Sequence, residues 1–253
     1  PDADTVREVC LCIPGAGRTG MFFTSEPGSR EAADELGSLI DHVCRSLEGI
    51  ILAQCLLAEH ETRALQAFKR GGFTSIGQLS YLRRPMPRRA ADVPGDTALP
   101  DGVTCDTWRS GDDGDLMEAL QRSYEGTLDC PELCGLRPIE DVLESHRATG
   151  EFDGRTWWIL RERGRPVGAM LFNAMKTQGA MELVYMGTAP EIRGRGIGSR
   201  LLARGLKAIA GRAEASVTCA VDHRNEPARR LYARYGFVPT AERTACIRAL
   251  PGA

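Results

Sequence analysis

The most chemically informative stretch of the sequence is residues 191–200, EIRGRGIGSR, which leads directly into the apolar-periodic segment LLARGLKAIA. The first N–H groups of a helix have no internal partner, and with the helix dipole they attract anions such as phosphate. Glycines there leave the backbone open to close approach, and arginines add charge-assisted hydrogen bonds. The residues concerned are Arg193, Gly194, Arg195, Gly196, Gly198 and Arg200. The stretch predicts a polyanion site, although a flexible surface loop with solvated arginines has the same composition.

A second chemical feature is Glu182, the only acid in the apolar run AMELVYMG of residues 180–187. Burial disfavours the charged form of a carboxyl and would raise its pKa toward the range that suits a general base. The alternative is an acid at a strand end that faces solvent. Glu182 is therefore a candidate for proton transfer.

The elements around these residues alternate between strand and helix patterns. The run of residues 180–188 is almost continuously apolar, as in a strand covered on both faces. A helix over residues 197–210 and a strand over residues 215–222 follow. Asn225 can then cap a helix that has Pro227 in its first turn. The pattern predicts an α/β chain with a mixed sheet.

The domain organisation is predicted from a segment rich in proline and glycine, residues 85–102, which carries four prolines and two glycines. We interpret it as a linker between a shorter half, residues 1–84, and a longer half, residues 103–253. With Phe73 set on Phe237, residues 51–73 overlay the end of the longer half without gaps. A second overlay, with Pro27 on Pro190, agrees within one residue. This suggests an internal duplication, although a chance match of common patterns would rest on as few identities.

Composition excludes several classes of protein. A net charge of −2 over 253 residues gives no support for general nucleic-acid binding, and no stretch has the length of a membrane span. Nine cysteines without a visible secretory signal are typical of reduced thiols in a cytoplasmic protein. The CxxxC of Cys130 and Cys134 has no partner ligands nearby, so we expect no metal. The chain begins with Pro1 rather than methionine, which leaves open whether residues precede it.

The glycine stretch RGRGIG, with Pro190 before it, resembles the [Q/R]-x-x-G-x-[G/A] signature of the GNAT acetyltransferase superfamily. The segment NEPARRLYARYGF of residues 225–237 resembles the family's second conserved segment, in which a tyrosine follows an asparagine by seven residues. The resemblance covers the longer half. It implies a mixed, mostly antiparallel sheet flanked by helices and splayed between its fourth and fifth strands.

The resemblance also implies binding of acetyl-CoA. Residues 194–199 would hold the diphosphate through backbone N–H groups, and residues 186–188 would pair with the pantetheine arm like a neighbouring strand. The N–H of Thr188 would polarise the thioester carbonyl. The implied coenzyme-binding residues are Met186, Gly187, Thr188, Arg193, Gly194, Arg195, Gly196, Ile197, Gly198, Ser199 and Asn225.

Acyl transfer to an amine needs a base for the amine and a proton donor for the leaving thiolate. Glu182 lies eleven residues before Arg193, where family members often have their base; the alternative is that it merely binds the acceptor. Tyr232 matches the family's donor tyrosine, although Ala228, Leu231 and Tyr235 place it on a stripe that any buried helix face needs.

Other residues are weaker candidates. Asp222 and His223 could transfer protons, but a strand-end pair of this kind is more often structural. The family's first two helices and their loop usually shape the acceptor pocket. Charged and aromatic residues in that segment could receive a cationic amine, or form only a charged surface loop. They are Tyr124, Glu125, Asp129 and Glu132.

The shorter half lacks the residues that the resemblance assigns to coenzyme binding and proton transfer. On the overlay, Ala33 and Glu35 replace two of the glycines, Thr19 replaces Glu182 and Phe68 replaces Tyr232. We therefore expect a degenerate, incomplete GNAT-like domain in a tandem arrangement. The leading hypothesis is an acetyl-CoA-dependent N-acetyltransferase for a small-molecule or peptide amine. The alternatives are a non-catalytic acyl-CoA-binding or scaffold protein, and an O-acyltransferase or a user of longer acyl chains. The sequence specifies neither acceptor nor oligomeric state.

Overall fold

The structure is a computed structural model that describes residues 6–251. Pro1, at which the chain begins, lies outside the described residues. The chain forms two compact units, one of Pro1–Leu79, Gly135–Arg137 and Glu242–Ala253 and one of Ser80–Cys134 and Pro138–Ala241. The described residues from Glu242 onward thus group with the first unit, and the segment of residues 85–102 groups with the second. None of the helices described is long and apolar enough to cross a membrane.

The first unit contains strands β1 (Cys10–Gly15), β2 (Thr19–Thr24) and β3 (Leu52–Leu57), helices α1 (Arg30–Ser46) and α2 (Thr62–Arg70), and the start of β4 (Thr74–Pro85). Helix α1 begins where the Ser29 side chain accepts a hydrogen bond from the N–H of Ala32. Its buried residues Leu36, Ile40 and Cys44 recur every four positions, which places one face of the helix on the core. β3 pairs in parallel with β2 and antiparallel with the end of the last strand, β10 (Val238–Ala249).

The second unit opens with strands β5 (Val103–Thr107), β6 (Trp157–Glu162), β7 (Arg165–Met175) and β8 (Ala180–Thr188), paired antiparallel in that order. Helices α3 (Asp113–Tyr124) and α4 (Ile139–Ala148) lie between β5 and β6 in the chain. Their apolar faces form one core with the strands. This core contains Leu116, Ala119, Leu120, Leu143, Trp157, Ile159, Ala169 and Leu171.

The rest of the second unit comprises helix α5 (Ile197–Ala208), strand β9 (Ser216–Asp222), helix α6 (Glu226–Arg234) and the start of β10. β9 pairs in parallel with β8, and the described partners end at Glu182 and Thr218. The pairing of β7 with β8 also shifts register just beyond this point. Phe172 pairs with Leu183, but the preceding residue Leu171 pairs with Tyr185. The mixed, mostly antiparallel sheet and its splay between the fourth and fifth strands of this half are confirmed.

The same element order appears twice in the chain. The series β2, α1, β3, α2, β4 in the shorter half corresponds to β8, α5, β9, α6, β10 in the longer half. Each series contains a parallel strand pair, β2 with β3 and β8 with β9. The two differ before the first helix, because α1 starts at Arg30, close behind Pro27, whereas a glycine turn separates Pro190 from α5. These features support the predicted duplication.

The segment of residues 85–102 packs along α5 within the second unit. Val93 is buried, and Lys207 on α5 donates from Nζ to the carbonyl of Gly95 at 2.9 Å. A Cβ on Gly95 would lie 2.6 Å from the hydroxyl of Tyr235, so the segment approaches α6 closely as well. The segment therefore connects the halves and also covers one side of α5.

Candidate functional site

The site is an open cleft where β8 and β9 separate. Before the separation β8 alternates buried and half-buried residues, but Val184–Thr188 are all half-buried, as expected for a strand that has lost its neighbour on one side. On β9, Cys219 and Asp222 follow the last paired residue, Thr218. The predicted arm-binding residues Met186, Gly187 and Thr188 lie on this separated part of β8. The cleft thus leaves a strand edge that an extended ligand can join.

A glycine turn opens α5 at the end of β8. Gly194 and Gly196 both have φ of +74°, a left-handed conformation that residues with a side chain rarely adopt. Gly196 is the N-cap of α5, and no side chain caps the helix. A Cβ added at either glycine would meet nothing within 4 Å. The turn therefore offers helix N–H groups to open space, which is the arrangement that fits a diphosphate.

The three arginines of this turn bind protein groups. Arg193 donates to three backbone carbonyls, those of Thr188, Gly126 and Ser123, each at 2.9 Å. Arg195 donates to Glu162 at 2.6 Å, and Arg200 donates to the carbonyl of Ala98. Arg193 thereby ties the turn to the C-terminal end of α3. Anion binding at this turn would therefore depend mainly on backbone N–H groups, as the family resemblance implies for residues 194–199.

Ser199 links the first turn of α5 to the end of α6. Its hydroxyl lies 2.9 Å from the hydroxyl of Tyr235, which also donates to the carbonyl of Ser199 at 2.8 Å. Tyr235 is buried and belongs to the stripe on α6 that was predicted for packing. This contact holds the turn of residues 194–199 in register with α6.

Tyr232 lies on the buried face of α6 and points its ring at Phe237, with ring centroids 5.5 Å apart. Burial raises the pKa of the Tyr232 phenol well above its usual value, and the nearby Cys219, Asp129 and Tyr185 raise it further. Tyr232 therefore stays protonated at neutral pH and can serve as a proton donor. Tyr232 thus packs on the buried face of α6 and also lies near groups of the cleft, so both interpretations from the sequence are compatible with its position.

Glu182 is the last residue of β8 that has a partner on β9. It is half-buried, and burial raises the pKa of its carboxyl. Burial also raises the pKa of the Cys219 thiol, with further increases from Asp129 and Glu182. The charges of two carboxyl groups, one on β8 and one on the loop after α3, therefore both act on Cys219.

The loop after α3 is fastened to the end of β9. The backbone N–H of Asp222 donates to Asp129 Oδ1 at 2.7 Å, and the N–H of Cys130 donates to Asp222 Oδ2 at 3.2 Å. Arg224 donates to Asp222 at 2.6 Å and to both carboxyl oxygens of Glu132 at 2.7 and 2.9 Å. Asp222, fully buried, is a structural hub here, consistent with the structural alternative. The part played by Arg224 was missed, because Glu132, which Arg224 joins to Asp222, lies 92 residues away in the sequence.

Replacing Asp222 should destabilise the protein without changing the glycine turn. Burial alone would raise the pKa of Asp222, but hydrogen bonds from Arg224 and from backbone N–H groups hold it below its usual value. Its stabilising contribution is therefore complete above the unfolded-state pKa and is lost as pH falls through the lower folded-state pKa. Asp222→Asn should lower the free energy of unfolding by about 2 kcal/mol at pH 7. Urea denaturation measures this loss. The matched control is Glu132→Gln, at the exposed end of the same network, for which we expect a loss of unfolding free energy below about 1 kcal/mol. Equal losses in both variants would contradict the hub role.

Aromatic residues line the α3 side of the cleft. The hydroxyl of Tyr185 lies 2.6 Å from that of Ser123, and its ring centroid lies 5.4 Å from that of Tyr124 and 5.5 Å from that of His146. A Cβ at Gly187 would collide with Tyr185, so a larger residue would displace this ring. Of these residues sequence reasoning named only Tyr124 and Gly187. Tyr185 lies in the run AMELVYMG, where its aromatic type was the available signal.

The predicted acceptor residues do not all lie together. Tyr124 ends α3, with its hydroxyl 3.3 Å from His146 Nε2, and Glu125 caps the helix with an exposed side chain. Asp129 reaches the end of β9, whereas the Glu132 carboxyl is held by Arg224 at the exposed side of the loop. Asp129 alone among the four is linked to both Asp222 and Asn225.

Comparisons with known proteins agree with this geometry. Residues 115–237 match the Acetyltransferase (GNAT) family profile. A mycothiol acetyltransferase of Acidimicrobium ferrooxidans is 30% identical over 232 residues, which cover 88% of this chain and 71% of the relative. A mycothiol acetyltransferase of Streptomyces bingchenggensis is 31% identical over 173 residues, 66% of this chain. The match spans about half, 53%, of that relative's length.

Solved structures share the fold across nearly the whole chain. A GCN5-related N-acetyltransferase from Sphaerobacter thermophilus superposes with a TM-score of 0.65 at 18% identity, covering 98% of this chain and 78% of that one. A tandem GNAT protein from the clavulanic acid biosynthesis pathway gives a TM-score of 0.58 at 15% identity, covering 100% and 82%. Together with the glycine turn and the splayed strands, the comparisons show that the chain belongs to the GNAT family of acetyltransferases.

Proposed function

We propose that the protein is an acetyl-CoA-dependent N-acetyltransferase that acts on a primary amine. The observation that carries this proposal is an uncapped glycine turn at the end of a splayed strand, with a buried phenol and a half-buried carboxyl in the adjoining cleft. A binding protein without activity would not need the carboxyl and the phenol together. Their presence favours an enzyme over a scaffold.

The residues around the turn fit acetyl-CoA, which would supply an activated acetyl thioester. Backbone N–H groups of residues 194–199 would hold the diphosphate, since the space beside Gly194 and Gly196 is open. Arg193 positions this turn through its three carbonyl partners and adds positive charge nearby. The free edge of Met186–Thr188 would pair with the pantetheine arm, and Asn225 at the start of α6 would contact it from the other wall.

Two side chains of the protein, Glu182 and Tyr232, could carry out the proton transfers. Glu182 would take one proton from the acceptor's ammonium group, which frees the nitrogen lone pair to attack the acetyl carbon. The N–H of Thr188 would stabilise the negative charge that develops on the carbonyl oxygen. Tyr232 would give its proton to the departing sulfur and regain one from the nitrogen. The sum is an amide, a thiol and one released proton.

The acceptor is proposed to be a small molecule. The relatives from Acidimicrobium and Streptomyces are named mycothiol acetyltransferases. The first screen should therefore include the amine that such an enzyme acetylates to form mycothiol. A screen by thiol release over amino sugars, polyamines, amino acids, peptides and alcohols would also separate N-acetylation from O-acetylation. Butyryl-CoA in a parallel screen would test for a preference for longer acyl chains.

The base assignment predicts a specific change in pH dependence. Since burial raises the pKa of Glu182, kcat/KM should fall as pH drops through a value above the ordinary glutamate pKa. Glu182→Gln should lower kcat by about 100-fold and remove this acid limb. Steady-state kinetics from pH 5 to 9 on the best acceptor measure both effects. Glu226→Gln, on the exposed side of α6, is the control and should behave like wild type. An unchanged acid limb in Glu182→Gln would reject Glu182 as the base.

A further inference from the structure

We propose that Asp129 binds the ammonium group of the acceptor and that the site accepts amines that carry no carboxylate next to the nitrogen. This inference rests on the proposed N-acetyltransferase function and narrows its substrate class. It also distinguishes Asp129 from the other residues of the loop after α3.

Asp129 is held in one orientation at the wall of the cleft. Its Oδ1 accepts the N–H of Asp222 at 2.7 Å, and the Asn225 side chain lies near enough to favour the charged form of its carboxyl and lower its pKa. Asn225 is itself fixed, because its Oδ1 caps α6 by accepting from the N–H of Ala228 at 3.3 Å. A carboxylate has about four acceptor positions, so two donors leave room for a ligand N–H.

The surroundings of Asp129 are those of a cleft rather than of a core. The residue is exposed to solvent, yet protein surrounds the carboxyl closely enough that desolvation raises its pKa. A cation bound there would replace lost hydration and offset that cost. The titratable groups near Asp129 come from its own loop, β8, β9 and α6. They are Cys130, Tyr185, Cys219, Asp222 and Tyr232.

The position of Asp129 suits an amine that reacts in the cleft. Its charge acts on both Tyr232, the proposed proton donor, and Cys219, which Glu182 also influences. A nitrogen bound by Asp129 would therefore lie in the same part of the cleft as the proposed base and the proposed acid. Asp129 binds and orients the nitrogen in this arrangement, and Glu182 removes its proton.

The other polar groups of the loop are committed elsewhere. Arg224 binds both carboxyl oxygens of Glu132, and the Tyr124 hydroxyl faces His146. A charged group on Glu132 or Arg224 therefore serves to close the loop onto β9. Asp129 is the member of the predicted acceptor set whose carboxyl meets the end of β9, beside the start of α6.

The same contacts disfavour a carboxylate beside the amine. Arg224, beside Asp222, and Arg193, at the glycine turn, spend donors on carboxyl groups and on backbone carbonyls. An α-amino acid would bring its carboxylate close to Asp129 and Glu182, and of the described residues neither Arg224 nor Arg193 is placed to pair with it instead of its present partners. Like charges at about 4–6 Å repel by roughly 1 kcal/mol or more at such sites, which corresponds to at least about fivefold in affinity.

The test compares propylamine with L-2-aminobutyrate, which differ by one carboxylate on the carbon that bears nitrogen. Protein labelled with ¹³C at aspartate carboxyl carbons is titrated at pH 7.5 with each compound, with acetyl-CoA present and absent. We expect the Asp129 signal to move with propylamine and saturate at a concentration at least about fivefold lower than with L-2-aminobutyrate. Asp129→Asn should remove this binding, and Glu132→Gln, which alters the exposed end of the loop, should retain it.

Several results would overturn the proposal. They are an Asp129 signal that does not respond to propylamine, equal responses to both compounds, and undiminished propylamine binding in a folded Asp129→Asn protein. If Asp129→Asn does not fold, the comparison of the two compounds on wild-type protein decides. Calorimetry with acetyl-CoA runs in parallel: loss of coenzyme binding with intact amine binding would reject the proposed function and leave the amine site standing.

Discussion

Tyr232→Phe should lower kcat by about 100-fold while leaving the affinity for acetyl-CoA within about twofold of wild type. The phenol is buried and its pKa is raised, so at neutral pH it is a protonated group that can donate to a leaving thiolate. Phenylalanine keeps the ring and its contact with Phe237, at 5.5 Å between centroids, and removes only the hydroxyl. The loss should therefore appear in the chemical step, measured by single-turnover kinetics, and not in stability or coenzyme binding.

Tyr185→Phe is the matched control for this result. Tyr185 also lies in the cleft, and burial also raises the pKa of its phenol, but its hydroxyl is engaged with Ser123 at 2.6 Å. We expect its kcat to stay within about fivefold of wild type. If both variants lose activity equally, the hydroxyls act through the shape or polarity of the cleft. If Tyr232→Phe keeps full activity, Tyr232 is not the donor.

Gly196→Val should weaken acetyl-CoA binding by about 10–100-fold, the equivalent of one or two charge-assisted hydrogen bonds. Gly196 has φ of +74° at the N-cap of α5. A β-branched residue there would have to leave the left-handed conformation, which would turn the adjacent N–H groups away from the diphosphate, or would fill the open space. Isothermal titration calorimetry with acetyl-CoA measures the change.

Gly236→Val separates loss of the binding turn from general backbone strain. Gly236 has φ of +80° and, like Gly196, a Cβ on it would meet nothing within 4 Å, but it follows α6 and lies outside the turn. Both substitutions should destabilise the protein by roughly 1–2 kcal/mol. Only Gly196→Val should also reduce the affinity for acetyl-CoA. A similar reduction in both variants would show that strain, and not the turn, explains the effect.

The sequence predicted those parts of the site that depend on local pattern. The glycine turn before an amphipathic helix, the apolar strand that holds Glu182 and the Asn225 cap are each encoded within a few residues, and the structure has the turn, the strand and the cap in those places. The resemblance of the motif spacing to that of the GNAT family also predicted that β8 and β9 would separate. Roles for Glu182, Tyr232 and the acceptor residues stay predictions that kinetics must test.

Contacts between distant segments escaped sequence reasoning. Arg193 was predicted to bind an anion, but it donates to the backbone carbonyls of Ser123 and Gly126. Backbone carbonyls are present in every residue, so the sequence could not identify these partners. Arg224 gave no signal at all, since its bond to Glu132 depends on how the loop after α3 meets β9. The grouping of the end of β10 with the first unit was equally hidden, because strand pairing such as that of Cys246 with Cys55 follows from topology and not from local pattern.

A crystal structure of the protein with acetyl-CoA would test the central claim most directly. We predict that the diphosphate will lie within hydrogen-bond distance of the backbone N–H groups of residues 194–199, with the pantetheine arm between β8 and β9 and its sulfur near the Tyr232 hydroxyl. A diphosphate bound elsewhere on the protein, with this turn empty, would contradict the account.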